Sequence, residues 1–165
     1  MSVDQSGRLA AATERLRAEK TVPGLLGATA HAYVELLDAP ACTISRVIGD
    51  LLVDLIQHQK TGKPERLGHG YLIPDYPLTR AVIEERRPQT VSQNDPDPDP
   101  NEVKLLRELG YDALLMVAIE ASDGAWGLVE VYGETGRRFD DAEVQLAQDL
   151  ATEVGEILKQ LEQPK

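Results

Sequence analysis

The chain has few of the residues that would reveal its chemistry from sequence alone. It has one cysteine, Cys42, among 165 residues, which excludes an intramolecular disulfide and a multi-cysteine metal site. A catalytic thiol–disulfide cycle within one chain is excluded too, because it needs one cysteine that attacks and a second that resolves the intermediate. The three histidines, His31, His58 and His69, are too scattered for a recognisable metal motif. We therefore predict no metal site.

Basic charge and long apolar runs are scarce as well. The formal net charge is −11, which argues against electrostatic binding to nucleic acid or to an anionic membrane surface. No apolar run is long enough to span a bilayer and no secretory signal occurs, so we expect a cytoplasmic protein. There is no glycine-rich phosphate loop or nucleophile elbow, and the sequence predicts that the protein is not an enzyme.

What is present fits one globular domain, with 42% hydrophobic residues. We predict an N-terminal amphipathic helix within residues 1–20. Residues 21–165 then form the domain proper, which ends in a long helix. The apolar residues that predict the first helix over residues 5–20 have three-to-four spacing and are Leu9, Ala12 and Leu16.

Turn residues and hydrophobic pattern place the middle elements. Pro77 suits the first position of a short helix that ends at residue 85 or 86. The Asp-Pro repeat to Pro100 cannot form a helix or a central strand, so we expect an exposed acidic loop. Asn101 can cap the helix that follows it. The other predicted elements are helices over 25–37 and 102–109 and strands over 42–47, 51–58, 67–73 and 89–92.

The last third of the chain is the most informative part. Residues 114–119 are an apolar run too short for a typical helix, so they predict a buried strand. Asp123-Gly124 suits a tight hairpin turn, and residues 126–132 return as the partner strand. Asp140 as N-cap and Glu143 as its capping-box partner then begin the long last helix.

This order of elements resembles the C-terminal half of a GAF domain, a sensory module. The residues that carry the resemblance are 110–151, GYDALLMVAIEASDGAWGLVEVYGETGRRFDDAEVQLAQDLA. The resemblance implies an α+β, PAS-related fold with a central, largely antiparallel sheet and helices on both faces. It also implies a small-molecule cavity on one side of the sheet. This chain departs from many family members at the fifth strand, where it has Ala113 and Ala118 in place of a small polar residue and a proline.

The last helix carries two apolar stripes. One stripe can pack on a sheet and the other on a second helix, and the first helix adds a further stripe. We therefore expect a homodimer built from terminal helices, as GAF domains often form. In the alternative, both stripes pack inside one subunit. The heptad positions are Val144, Ala147, Ala151, Val154, Leu158 and Leu161.

The sharpest candidate site lies where the chain enters the helix at Pro77. The N–H groups of a helix N-terminus can hold a carboxylate or phosphate, and Arg80 can add a bidentate contact. In the alternative, Asp75 only caps the helix and Arg80 is solvated. The candidate ligand-binding residues are His69, Tyr71, Asp75, Tyr76, Arg80, Tyr111 and Met116.

The position of the single cysteine decides which cofactor we expect. Asp75-Tyr76-Pro77 with Arg80 looks like the aspartate-proline region of phytochrome-type GAF domains, where the aspartate faces a bilin. Those domains usually attach the bilin through a cysteine, and none follows this segment, so we expect no bilin. Some GAF domains hold haem through one histidine, but His69 is better explained as a structural residue. The ligand itself stays unidentified.

Two functions remain open from the sequence. The first is a sensory domain that binds a small molecule and signals through its terminal helices to a partner signalling protein. The second is a ligand-free dimerisation or protein-interaction module whose cavity is filled with side chains. Four large side chains could either line or plug the cavity, namely Tyr71, Tyr76, Met116 and Trp126.

Overall fold

A computed structural model describes residues 3–60, 68–122 and 124–163, which form five α-helices and six β-strands. A 3-10 turn, Ile73–Asp75, connects β3 to α3. The prediction of an α+β fold is confirmed. The elements are α1 Val3–Arg17, α2 Val22–Leu37, β1 Ala41–Ile48, β2 Leu51–Gln59, β3 Gly70–Leu72, α3 Pro77–Glu85, β4 Gln89–Ser92, α4 Pro100–Leu109, β5 Ala113–Ala121, β6 Gly124–Gly133 and α5 Asp141–Glu162.

The strands form one antiparallel sheet in the order β3-β2-β1-β6-β5-β4. Gly49 and Asp50 form the predicted turn between β1 and β2, and Gly49 has a φ of 60° that favours glycine. The last strand of the chain, β6, pairs with the first, β1, through residues such as Ile44 and Val129. The terminal helices α1 and α5 contact each other on one side of this sheet.

Helices cover both faces of the sheet, as predicted. The helices α1, α2 and α5 cover one side, which we call the helix-bundle face, and α3 and α4 cover the other, the α3–α4 face. Because both sides of β5 are buried, its residues read as an unbroken apolar run rather than an alternating one. Leu115, Val117 and Ile119 belong to the helix-bundle core, while Leu114, Met116 and Ala118 belong to the α3–α4 core.

Both apolar stripes of α5 pack inside the protomer. Ala151, Val154 and Leu158 are fully buried in the helix-bundle core together with Leu146 and Leu150. The protomer therefore accounts for the heptad pattern, which does not by itself require a second copy. No described helix has both the length and the apolar character needed to cross a membrane.

Several predicted boundaries need correction. The first helix ends at Arg17, and α2 begins at Val22, where Thr21 accepts a hydrogen bond from Gly24 N at 3.1 Å. Pro23 is tolerated in the first turn of α2, because the N–H that proline lacks would have no partner within the helix there. The predicted strand over 67–73 is shorter, since Ile73 lies in the 3-10 turn and Leu67 lies outside the described residues.

The cap of α4 is also different from the prediction. Asp99, rather than Asn101, is the N-cap, and its side chain accepts hydrogen bonds from Asn101 N at 2.9 Å and Glu102 N at 3.1 Å. Pro100 takes the first helical position. The last two residues of the Asp-Pro repeat therefore cap and begin α4, whereas its composition predicted a loop throughout.

The capping box of α5 is confirmed. Glu143 N donates to Asp140 Oδ1 at 2.8 Å, and Asp140 N donates to Glu143 Oε1 at 3.1 Å. The prediction for the hairpin between β5 and β6 falls partly on Asp123, which lies outside the described residues. Trp126 packs in the helix-bundle core with the Arg46 guanidinium 4.4 Å from its ring centroid, so it neither lines nor plugs a cavity on the α3–α4 face.

Candidate functional site

Polar side chains occupy the middle of the α3–α4 face, where a packed sheet ordinarily carries apolar ones. Glu130 of β6 is 7% exposed and Asp54 of β2 is 8% exposed. The neighbouring strands and helices add more buried polar groups. We call the set the buried polar cluster, and its members are Thr43, Ser45, Asp54, Thr79, Glu102, Glu130 and Tyr132.

Hydrogen bonds connect the cluster across three strands. Ser45 Oγ donates to Asp54 Oδ1 at 2.6 Å. The Tyr132 side chain is hydrogen bonded to Thr43 and to Glu130. These contacts place carboxyl and hydroxyl oxygens of β1, β2 and β6 next to one another under α3 and α4. Such a surface can bind donor groups of a ligand.

Burial and like charge decide the protonation of Glu130. Burial raises the pKa of Glu130 well above its ordinary value of 4.5, and the nearby carboxyls of Asp54 and Glu102 raise it further. The hydrogen bond from Tyr132 acts in the opposite direction. Among the described residues, no Lys or Arg forms an ion pair with Glu130. Glu130 is therefore held in its neutral acid form to a higher pH than an exposed glutamate.

Glu102 links α4 to the start of α3. Its Oε1 accepts hydrogen bonds from Thr79 Oγ1 at 2.6 Å and from Thr79 N at 3.3 Å. Burial raises the pKa of Glu102, while both bonds from Thr79 lower it. The N-terminus of α3, which the sequence predicts as an anion site, thus already holds a carboxylate of the same chain.

Four of the sequence-predicted residues lie at or below the start of α3. Tyr71 and Tyr76 pack edge to face with ring centroids 6.0 Å apart. Asp75 and Tyr76 line a surface pocket of about 300 Å³ together with α4 residues, and Asn101 Nδ2 donates to the Asp75 carbonyl at 2.7 Å. Met116 is fully buried beneath them, with its Sδ 3.4 Å from Thr79 Oγ1.

The other three predicted residues have different surroundings, although Arg80 lies in the first turn of α3 and its backbone N donates to the Tyr76 carbonyl at 2.9 Å. The Tyr111 ring stacks on Tyr132 with centroids 4.7 Å apart, at another side of the same core. Arg80 is exposed and pairs with Glu84 at 3.1 Å. His69 is exposed, and its carbonyl accepts a hydrogen bond from Asp54 N at 3.1 Å.

The expected alternative role of Asp75 also differs in the structure. Tyr76 is the N-cap of α3 and makes no side-chain capping bond. Asp75 therefore does not cap α3. Its carbonyl instead joins the end of the 3-10 turn to α4 through Asn101.

Sequence reasoning missed the buried polar cluster itself. It assigned most carboxylates to helix faces or to the Asp-Pro loop, where a solvated charge is the ordinary explanation. One signal was available, because Glu130 and Asp54 each interrupt an apolar strand, in LVEVY and LLVDLI. A carboxylate at a strand position with apolar neighbours is rare in a core and indicates a special role.

The chain belongs to the GAF domain family, since the family's sequence profile matches residues 24–158. The fold is similar to that of the bacteriophytochrome RpBphP3 from R. palustris, with TM-score 0.85, 14% identity, 98% of this chain covered and 39% of that chain. It is also similar to JSC1_58120g3 with bound biliverdin IXa, with TM-score 0.81, 19% identity, 94% of this chain covered and 99% of that chain. This chain thus spans well under half of the longer bacteriophytochrome. No curated protein matches the sequence.

The expectation that no bilin binds here is wrong. It rested on the lack of a cysteine after Pro77, yet a protein with bound biliverdin IXa shares the fold over 94% of this chain, and the chromophore-binding domain of RpBphP3 shares it at TM-score 0.80. A missing cysteine removes one route of covalent attachment and is not by itself a ground for excluding a bilin.

Proposed function

We propose that this chain is a non-enzymatic sensory domain that binds a small molecule on the α3–α4 face. The buried polar cluster carries the proposal. Burying Glu130, Asp54 and Glu102 costs free energy that apolar residues of similar size would not cost. A ligand with donor groups would gain from these oxygens and would repay that cost when it binds.

A bilin is the first ligand to test, because JSC1_58120g3 holds biliverdin IXa on a similar fold. The pyrrole nitrogens of a bilin are hydrogen-bond donors, which suits a surface of carboxyl and hydroxyl oxygens. Cys42 is fully buried in the helix-bundle core, on the opposite face of the sheet. We therefore propose that a bilin would be held here without a covalent bond.

Ligand entry requires α4 to move. The pocket beside Asp75 and Tyr76 has a volume of about 300 Å³, at the lower end of the range for drug-sized ligands. Glu102 is not part of the pocket lining and joins α4 to α3 through its bonds to Thr79. A ligand that displaces Glu102 from Thr79 would shift α4 and the acidic loop before it.

The test is a biliverdin titration followed by absorption spectroscopy and native mass spectrometry. We expect a shifted absorption band and a bound mass that is lost in denaturant, with Cys42→Ala unchanged. Glu130→Leu should weaken binding, while the exposed Glu134→Gln should match the wild type. A bound mass that survives denaturation would contradict the non-covalent mode. No spectral shift and no bound mass would exclude a bilin as the ligand.

Ligand binding should also change backbone protection. We expect slower hydrogen exchange in residues 93–99 and α4 when the ligand is bound, because these segments would order around it. The terminal helices should change as well if they relay the signal. Unchanged exchange in both regions would contradict the proposed relay.

A second candidate function is a ligand-free dimerisation module. One observation favours it, namely that Met116, Tyr132 and Tyr111 fill much of the α3–α4 core. Under this alternative we expect the protein to be purified without any bound ligand mass. Glu130→Leu should then raise the stability, with no ligand binding to lose. Small-molecule screening by thermal shift separates the two, because only the sensory domain should be stabilised.

The proposed output surface is the groove between α1 and α5. It has a volume of about 880 Å³ and includes Leu9, Ala10 and Thr152. We propose that a second copy packs here and that a partner signalling protein reads the arrangement. The division into a helix within residues 1–20 and a domain over 21–165, and a cytoplasmic location, stay predictions.

A further inference from the structure

Two of the three histidines meet on the helix-bundle side of the molecule, away from the buried polar cluster. His31 lies on α2 and His58 lies on β2, and 27 residues separate them in sequence. His31 Nδ1 is 3.2 Å from His58 Nε2. The rings are edge to face, with centroids 4.7 Å apart and planes at 79°. Only the packing of α2 on β2 brings these nitrogens together.

Their separation matches that of two ligands on one metal ion. Imidazole nitrogens bind zinc at about 2.0–2.1 Å, so two nitrogens 3.2 Å apart would subtend an angle of roughly 100° at the metal, near tetrahedral. In the hydrogen-bonded pair the N–H of one ring donates a hydrogen bond to the unprotonated nitrogen of the other. On metal binding, the donor ring loses the proton from its facing nitrogen and takes one up from water on its other nitrogen, so both rings stay neutral and no net proton is released.

The surroundings suit a cation. Glu35 lies one turn from His31 on α2, and its ion pair with Lys60 spans 3.6 Å between side chains that are 48% and 46% exposed. Exposed pairs of this kind are weak, so the Glu35 carboxylate remains available to a nearby cation. Burial and the neighbouring His31 lower the pKa of His58, whereas Glu35 raises it and Lys60 lowers it. A neutral imidazole is the form that binds metals.

We propose that His31 and His58 form a surface site for a late first-row divalent metal ion, Cu²⁺ or Zn²⁺, that links α2 to β2. Among the described residues, no group of three or more His, Cys, Asp or Glu side chains is arranged to hold a metal. The site therefore supplies two protein ligands, and water completes the coordination. Imidazole suits both ions, and Cu²⁺ binds more tightly than Zn²⁺.

The test is a Cu²⁺ titration of the full chain without an affinity tag, followed by electron paramagnetic resonance. We expect coupling to two imidazole nitrogens in the wild type and to one in His31→Ala or His58→Ala. The affinity should fall roughly tenfold or more in either variant, because one of the two protein ligands is lost. His69→Ala is the matched control, since His69 is exposed and is not a member of the pair, and the affinity of this variant should equal that of the wild type.

Zn²⁺ supplies a second readout. The melting temperature of the wild type should rise with Zn²⁺, and that rise should vanish in His31→Gln and His58→Gln, which retain polar side chains of similar size. Circular dichroism without metal checks that each variant is folded. Wild-type affinity in either histidine variant, or a loss of binding in His69→Ala, would overturn the proposal.

Discussion

At the scale of single residues, the carboxyls of the α3–α4 face decide how stability depends on pH. The folded pKa of Glu130 is well above its ordinary value of 4.5, because of burial and then of Asp54 and Glu102. The stability that Glu130 contributes is thus fully present below its unfolded pKa and is lost as the pH rises through the folded one. Glu102 acts in the same direction, since burial raises its pKa too.

Glu130→Gln should therefore be more stabilising the higher the pH. Glutamine resembles the neutral acid, so we expect little difference from wild type at pH 4, below the ordinary pKa of 4.5. At pH 9 the variant should be more stable by about 1.4 kcal/mol for each unit by which folding raises the pKa. Urea unfolding at both pH values measures the difference.

Glu134→Gln is the control for this prediction, because Glu134 is exposed at the end of β6. Its stability relative to wild type should not change between the two pH values. A constant difference for Glu130→Gln over the same range would contradict the buried neutral acid.

Thr79 should matter through its hydroxyl rather than its shape. Thr79→Val is close to isosteric but removes the 2.6 Å bond to Glu102 Oε1, leaving a buried carboxyl with fewer donors. We expect a loss of about 1–3 kcal/mol in unfolding free energy. Thr79→Ser keeps the hydroxyl and should lose less, and a valine variant at least as stable as the serine variant would refute this role. Chemical denaturation of both variants gives the comparison.

At the scale of elements, the close approach of α5 to β5 depends on one glycine. A Cβ at Gly155 would lie 2.4 Å from the Glu120 carbonyl oxygen, which is closer than any van der Waals contact allows. The helix α5 can therefore approach β5 this closely only because residue 155 is a glycine and has no side chain. This contact lets Val154 and Leu158 reach the core beside it.

Gly155→Ala should destabilise the protein although alanine is the better helix former. Alanine gains about 1 kcal/mol of helix propensity, but forcing α5 away from β5 should cost about 1–3 kcal/mol more than that. Gly27→Ala is the matched control, because a Cβ at this position in α2 would make only an ordinary contact of 3.5 Å with Ile56 Cδ1, and it should be neutral or stabilising. Thermal unfolding should therefore shift in opposite directions, and equal shifts would refute the close contact.

At the scale of the whole molecule, the sheet separates two faces for which we propose different roles. Glu130 faces the buried polar cluster, while its neighbours Val129 and Val131 face the helix bundle. A change at the first surface can thus reach the second through the backbone of β6. The helix-bundle side also carries the α1–α5 groove that we propose as the dimer surface.

Ala10→Glu should dissociate the proposed dimer. Ala10 is exposed and lines the groove, and a second copy would bury the new charge at an energetic cost. Sedimentation should show twice the 18.1 kDa chain mass for the wild type and a single chain for the variant. Thr135→Glu, an exposed change of equal charge outside the groove, should remain dimeric. A monomeric wild type would overturn the dimer and leave the ligand proposal untouched.

The sequence by itself determined the order of elements and their class. Local signals fix a hairpin at Gly49 and a helix start at Asp140, because turn and cap chemistry depends on neighbouring residues only. The apolar run at residues 114–119 likewise indicated a buried strand. These features needed no knowledge of distant contacts, and the structure confirms them.

Only the tertiary structure decided which side chains form a site. Asp54, Glu102 and Glu130 are far apart in sequence and meet because β2, α4 and β6 share one face of the sheet. The same holds for His31 and His58. The stripes of α5 could also serve either a sheet or a second copy, and only packing shows which they contact. Such contacts depend on how elements are placed, which residue spacing does not encode.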